Sequence, residues 1–363
     1  MFQSGVLSWW HVAAFVFTVL PIMYYAEKHK SKIAMFIACC EMVVVSGLRH
    51  GYIDTRAYRY GFEHLDISDT LNIDYILFGS SRDRGFSVLS AIIKLFSSDG
   101  QVFLFVFAVF TVGLLFYGLV KRTDDVFLGV FLFICTGCYI DTMNGMRQAF
   151  ASAVLFFILP DLIIRKKLLH YMTVVFLLSA FHGTALLLIP LYFIADKRPW
   201  SKPTWIISGF MVLLFLFFNF GIGNILFTLL EGTSYGEDYG SMIQSANTSV
   251  NVIRVFVAWA PIFLSFIYRD KEKKQSSLYN ICFNMSLMNA LTWLFATKVL
   301  YFYRLTMYFQ PYMILLLCYI IQSIQSPRDR QIVKYCMILL YGGWHIYSLY
   351  VTGDNFFVGY LKY

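Results

Sequence analysis

Three short stretches hold the side chains of this sequence best suited to anion chemistry. GLRHGYIDTRAYRYGF, from Gly47 to Phe62, carries Arg49, Arg56 and Arg59 together with Asp54 and Tyr58. DTMNGMRQAF, from Asp141, carries Asn144, Arg147 and Gln148, and YFYRLTMYF carries Arg304 between Tyr301 and Tyr308, at i, i+3 and i+7 of an expected helix face. RDRGFSVL adds Arg82 and Arg84. A guanidinium is always charged, and its planar fork binds two phosphate or carboxylate oxygens at once, so each of these is a candidate phosphate ligand. Arg147 is the strongest of them: Asn144 is expected to cap a helix that places Arg147 one turn in, where the helix N-terminus already favours anions. Tyrosine faces beside an arginine suit a sugar ring beside its phosphate. The competing reading pairs the arginines with the neighbouring acids Asp54, Glu63, Asp66, Asp69, Asp74, Asp83 and Asp99.

His182, in SAFHGTALLLIPLYF, is a candidate of another kind. The apolar stretches on either side run about 14 and about 12 residues, each short of the ~20 a helix needs to cross a bilayer, and they end at the basic clusters Arg165–Lys167 and Lys197–Arg198. Two half-length helices meeting inside the membrane are expected, with non-helical backbone between them that must line protein or an aqueous cavity. This puts His182 at the floor of an outward cavity, where an imidazole can act as acid or base; the plainer alternative is a structural histidine.

The elements that must position these residues are membrane helices. Of the 363 residues 59% are hydrophobic, 19% aromatic and only 14% charged, against about 25% charged in soluble domains. Apolar runs recur along the whole length, and the reading is a single all-α polytopic bundle over 1–363, with outer loops at 49–100 and 221–250. Twelve spans are expected, near 8–26, 32–48, 101–120, 126–141, 147–164, 168–181, 183–195, 203–220, 251–268, 278–296, 305–323 and 332–350. The bias of lysine and arginine sets their orientation. Eighteen cations fall in one set of loops and 12 of them are lysines, which reads as the cytoplasmic side; of the 11 on the other side 8 are arginines, in loops that topology alone would leave poor in cations. Reading 168–195 as one crossing instead would leave 12 cations inside and 17 outside, so the hairpin is preferred.

Other residues are placed by the same reasoning. Phe86, Leu89, Ile93 and Phe96 share one helical face opposite Ser87, Ser90 and Lys94, which suits a helix lying in the interface. The segment around EGTSYGEDYGS, with Glu231, Glu237 and Asp238, is long and polar enough for a lid or a solvated loop. Glu41 lies in mid-span, where an ionisable side chain is functional, protonated or paired internally. The seven cysteines sit in or beside apolar runs and read as packing residues, including the Cys135-x-x-Cys138 pair. No metal-binding motif stands out, and no cofactor is expected.

Taken in order, Gly47, Arg49, Asp54, Tyr58 and Phe62, then RDRGFSVL, NGMRQAFA, FHGTALLLIP and YFYRLTMYF resemble the EpsG-like branch of Wzy-type repeat-unit polymerases over residues 47–309. NG-x-RQ-x-x-A and FH-x-[ST]-A carry most of that resemblance. The family often has an acidic residue and a proline ahead of Gly-Phe; this chain has Asp83, Arg84 and Gly85 there, so a role for Asp83 is not carried over. The resemblance implies a glycosyltransferase of GT-C type on the outer face of a bacterial cytoplasmic membrane. It would join undecaprenyl-diphosphate-linked oligosaccharides into O-antigen, capsule or exopolysaccharide, with a flippase and a chain-length regulator as candidate partners and no nucleic acid. His182 and Arg147 are the catalytic candidates; Arg49, Asp54, Arg56, Tyr58, Arg82, Arg84, Asn144, Gln148, Tyr301, Arg304 and Tyr308 are the substrate-binding ones. A transporter of lipid-linked glycans and an O-antigen ligase remain as alternatives, although the internal repeats usual in transporters are not evident.

Overall fold

The computed structural model describes residues 15–78, 83–220, 250–269 and 275–352. Among them there is no strand. The main helices are α1 (Leu20–His29), α2 (Lys32–Gly47), α3 (Thr55–Glu63), α4 (Arg84–Lys94), α5 (Gly100–Val120), α6 (Val126–Cys135), α7 (Met146–Ile164), α8 (Leu168–Ser179), α9 (Lys202–Leu216), α10 (Val252–Ile267), α11 (Ser277–Ala296), α12 (Gln310–Ser323) and α13 (Pro327–Thr352). Arg82, residues 8–14 of the first expected span, the segment 221–249 with Glu231, Glu237 and Asp238, and residues 270–274 lie outside the described residues. Among the described residues two helices, α5 and α7, are long and apolar enough to cross a membrane, and a third span results if Leu300–Tyr308 and α12, bent by 61°, count as one.

Several helix starts follow directly from the sequence. The side chains of Ser31, Asp99, Asp125, Asn251 and Ser276 accept hydrogen bonds from Ala34, Gln101, Leu128, Ile253 and Tyr279 N–H groups, and so satisfy donors that the helix itself leaves orphaned. Breaks also have local causes. The expected span 126–141 is interrupted at Gly137, whose φ of 87° only glycine adopts readily, before a short turn at Cys138–Asp141.

The chain divides into two compact units. The first comprises 1–159, 172–186 and 324–363. Within it α2 packs along α5, closely enough that a Cβ on Gly47 would sit 2.5 Å from Phe105. Glu41 takes a hydrogen bond from the Thr18 hydroxyl, so it is paired internally. At the other end of α1, Glu27 accepts the Phe127 N–H at 2.8 Å while Lys334 Nζ lies 2.7 Å from Asp125 and 3.7 Å from Glu27, tying α1, α6 and α13 together. Arg122 is buried and donates to the Gly118 and Phe157 carbonyls. It thereby ties the end of α5 to α7.

The second unit comprises 160–171 and 187–323. Asn284 of α11 donates to the carbonyls of Ala195 and Lys197, and Asp196 takes an ion pair from Lys166, so the loop after 191–195 is pinned at several points. Trp293, stacked on Tyr303 at 6.4 Å, anchors a core cluster with Ala258 and Ala296.

The half-length segments differ in kind. Residues 168–179 form α8, but the other arm is a 3-10 helix, Gly183–Leu188, followed by a short helix, Leu191–Ala195. Pro190 accounts for the interruption, since it removes a donor and keeps Ile189 out of the helical region. Tyr171 donates its hydroxyl to the Leu188 carbonyl at 2.6 Å and meets Tyr192 edge-on at 5.0 Å, so the later arm folds back past the start of the earlier one.

Candidate functional site

Within the first unit, α4, α7 and the turn after α8 bring three polar side chains together. Arg147 Nη1 donates to Asp83 Oδ2 at 2.7 Å, and His182 Nδ1 lies 3.9 Å from Asp83 Oδ1. One carboxylate therefore faces a guanidinium with one oxygen and an imidazole with the other. Asp83 is only 10% exposed and His182 18%, whereas Arg147 is 45% exposed, so the carboxylate is covered while the arginine keeps an open edge.

Local folding explains each position. Asp83 precedes α4, and its carbonyl accepts the Phe86 and Ser87 N–H groups while its carboxylate makes no cap bond, which leaves the carboxylate available for Arg147. Gly85 lies directly against the turn holding His182: its N–H donates to the Ala180 carbonyl at 2.8 Å, and a Cβ there would lie 3.0 Å from the Phe181 ring. Arg147 stands in the first turn of α7, which begins at Met146 after Gly145 at φ 62°. A ladder of rings joins the three elements: Phe86 meets Phe107 at 5.0 Å, Phe107 meets Phe150 at 5.4 Å, and Phe150 meets Phe181 at 4.9 Å. Phe86 and Phe150 each stand three residues after a polar member, and Phe181 precedes His182. Such pairs contribute about 0.5–1.5 kcal/mol each beyond the area they bury. The Arg147 guanidinium also lies over Phe86 at 5.2 Å and Tyr58 at 5.8 Å, positions that suit a cation–π contact.

The other candidates divide by location. Tyr58 joins the cluster through Phe86 at 5.8 Å. Gln148 is buried in the first turn of α7. Asn144 does not cap that helix: its Oδ1 is buried with no hydrogen-bond partner, and the Gly145 carbonyl accepts the first helical bond, from Ala149. Arg49 is 2% exposed and donates to the Ser46 carbonyl at 2.6 Å and to Thr55 Oγ1 at 3.3 Å, which ties the end of α2 to the start of α3. Asp54 precedes α3 without a side-chain cap bond, Arg56 is exposed, and Arg84 donates to the Ile76 carbonyl at 3.3 Å. Arg59 lies 3.8 Å from Glu63 and 3.2 Å from His50 Nδ1, so pairing with neighbouring acids holds here as it does for Arg147.

Tyr301, Arg304 and Tyr308 belong to the second unit. Leu300–Tyr308 is a 3-10 helix, in which residues three apart eclipse and the i+7 position turns to another side. Arg304 accordingly stacks over Tyr301 at 4.6 Å, whereas Tyr308 is buried, so the three do not share one face. On α4 the buried residues are Phe86, Ser90, Ala91 and Ile93, so Ser90 lies on the side of Phe86 and Ile93 and not opposite them; its hydroxyl donates to the Phe86 carbonyl, and Phe96, beyond the end of the helix, is 86% exposed.

Asp83 is the functional candidate that sequence reasoning passed over. Its position two residues before Gly85 was legible, but only the close approach of Gly85 to Ala180 reveals that it faces His182. Among the described residues no group of three His, Cys, Asp or Glu side chains could hold a metal ion.

No curated protein and no solved structure matches the sequence. The model of the EpsG family, by contrast, matches residues 32–363, nearly the whole chain and every element of the cluster. An all-helical membrane chain with this match belongs to the EpsG family, whose members are polymerases of the Wzy type.

Proposed function

We propose that this chain is a multi-pass glycosyltransferase of the bacterial cytoplasmic membrane. It polymerises undecaprenyl-diphosphate-linked repeat units into O-antigen, capsule or exopolysaccharide at the outer face. In this reading the twelve spans form a GT-C-like bundle, the lipid bilayer delivers the substrates, and a flippase and a chain-length regulator act before and beside it. The observation that carries the reading is one side-chain group, Arg147–Asp83–His182, in which a half-exposed guanidinium and a mostly covered imidazole face the same carboxylate.

The donor is a growing glycan on a lipid diphosphate, already activated, so no nucleotide sugar is needed. The terminal hydroxyl of a second lipid-linked unit attacks the anomeric carbon of the donor. The bond from that carbon to the diphosphate oxygen breaks, and the lipid diphosphate leaves with the bonding electrons. Arg147 stabilises the charge that develops on the leaving oxygen, an effect that grows in a site shielded from water. His182 takes the acceptor proton. Asn144 Oδ1, buried and without a hydrogen-bond partner among the described residues, is an acceptor suited to a sugar hydroxyl, and Tyr58 offers a ring. Arg304 over Tyr301 supplies a second place where a phosphate and a sugar can be held, in the other unit.

The test is purified full-length protein incubated with a synthetic diphosphate-linked repeat unit. A ladder of products differing by one unit is the expected outcome. Folded protein that yields no ladder, or that only moves the intact unit across a vesicle membrane, would overturn the reading.

A further inference from the structure

We propose that the Asp83 carboxylate is the internal occupant of the Arg147 anion site, and that an arriving diphosphate displaces it toward His182. Filling the site then also sets the imidazole for proton transfer. The inference rests on the reading of Arg147 as the diphosphate ligand and goes beyond it by giving Asp83 a positioning role.

Three observations carry it. A carboxylate presents the same kind of planar, anionic acceptor to a guanidinium as phosphate oxygens do, and Asp83 Oδ2 holds that place at 2.7 Å. The carboxylate makes no cap bond to α4, so the helix start does not hold it in place. Its second oxygen is 3.9 Å from His182 Nδ1, so a shift of about 1 Å brings it to hydrogen-bonding distance. An incoming diphosphate carries more charge and more acceptor oxygens than one carboxylate, and the open edge of Arg147 gives it access. Once released, Asp83 accepts a hydrogen bond from Nδ1–H. That fixes the tautomer in which Nε2 bears the lone pair, and Nε2 is then the atom that receives the acceptor hydroxyl proton. The proton stays on the imidazole until product leaves, and no other group need change its charge.

An internal competitor makes an unusual prediction. In full-length detergent-purified protein, Asp83→Asn should bind inorganic diphosphate at least threefold more tightly in calorimetric titration, while chain elongation falls at least tenfold, so KM and kcat drop together. Glu63→Gln, which removes an acid paired with Arg59 in the same unit, should leave both within twofold and so excludes a general charge effect. Diphosphate binding that is unchanged or weaker in Asp83→Asn would overturn the proposal. A second measurement needs no Asp83 variant: ¹⁵N-histidine spectra of the wild-type protein, with His182 assigned by its loss in His182→Gln, should move to the Nδ1–H tautomer when diphosphate is added, and an unmoved signal would overturn it. Failure of the underlying reading is separately visible, since Arg147→Ala would then leave diphosphate binding unaltered.

Discussion

Arg147 is bordered by one carboxylate, met through Nη1 alone, and by two rings that its planar guanidinium faces. Lysine keeps the charge and loses the fork. Arg147→Lys should therefore lower elongation by about 10- to 100-fold at equal expression, the range expected when a charge-assisted hydrogen bond is lost; full activity in quantified ladders would exclude a bidentate contact. Arg49 calls for the opposite expectation, because its guanidinium is consumed by Ser46 and Thr55 inside the protein. Arg49→Ala should cost about 2–3 kcal/mol of stability, as expected when a buried charge-assisted hydrogen bond is removed, whereas Arg56→Ala, at an exposed position, should change the unfolding midpoint little. Thermal unfolding in detergent separates the two. The contrast shows what was legible at these positions: residue type marks every arginine alike, but burial separates Arg49 from Arg56 and Arg147, and burial depends on which helix each one meets.

At the level of helices and turns, the cluster depends on Gly85. A methyl group there would press on Phe181 and on the Ala180 backbone at 3.0–3.1 Å, where a backbone atom cannot yield. Gly85→Ala should move α4 away from the turn that carries His182, cost about 1–3 kcal/mol as overpacking does, and reduce elongation more than it reduces yield; unchanged ladders would mean that the spacing of Asp83 and His182 does not matter. Most helices were legible from apolar run length, whereas the one cap read from the sequence, Asn144, does not cap its helix. The exceptions are those in which local chemistry overrides the period. Gly137 breaks an apolar run that looked continuous, Pro190 separates the 3-10 segment Gly183–Leu188 from the short helix that follows it, and the 3-10 helix at Leu300–Tyr308 takes Tyr308 off the face of Arg304. Hydrophobic patterning cannot distinguish a 3-10 from an α segment over a few residues, since both bury a residue every three or so.

Across the whole chain, the helical class and the polymerase family were readable because apolar runs recur along its length and the motif order spans residues 47–309, inside the 32–363 that the family model matches. Pairing across long separations was not, since Asp83 and Arg147 are 64 residues apart and nothing local records their meeting. The orientation drawn from the lysine and arginine bias makes its own prediction: single cysteines placed at Arg84 should be labelled by an impermeant maleimide in intact cells, and those placed at Arg269 should not. Labelling of Arg269→Cys from outside would reverse the assignment of the arginine-rich face.

The assembly of a donor phosphate site and a base around one carboxylate is tested most directly by product ladders from the purified protein and its His182→Ala variant, run on one synthetic diphosphate-linked repeat unit with inorganic diphosphate affinity measured alongside. Wild type should extend the unit into a ladder, and the variant should stop at the starting material while binding diphosphate within a few-fold of wild type. A normal ladder from the variant would remove His182 from the chemistry and contradict the arrangement proposed around Asp83.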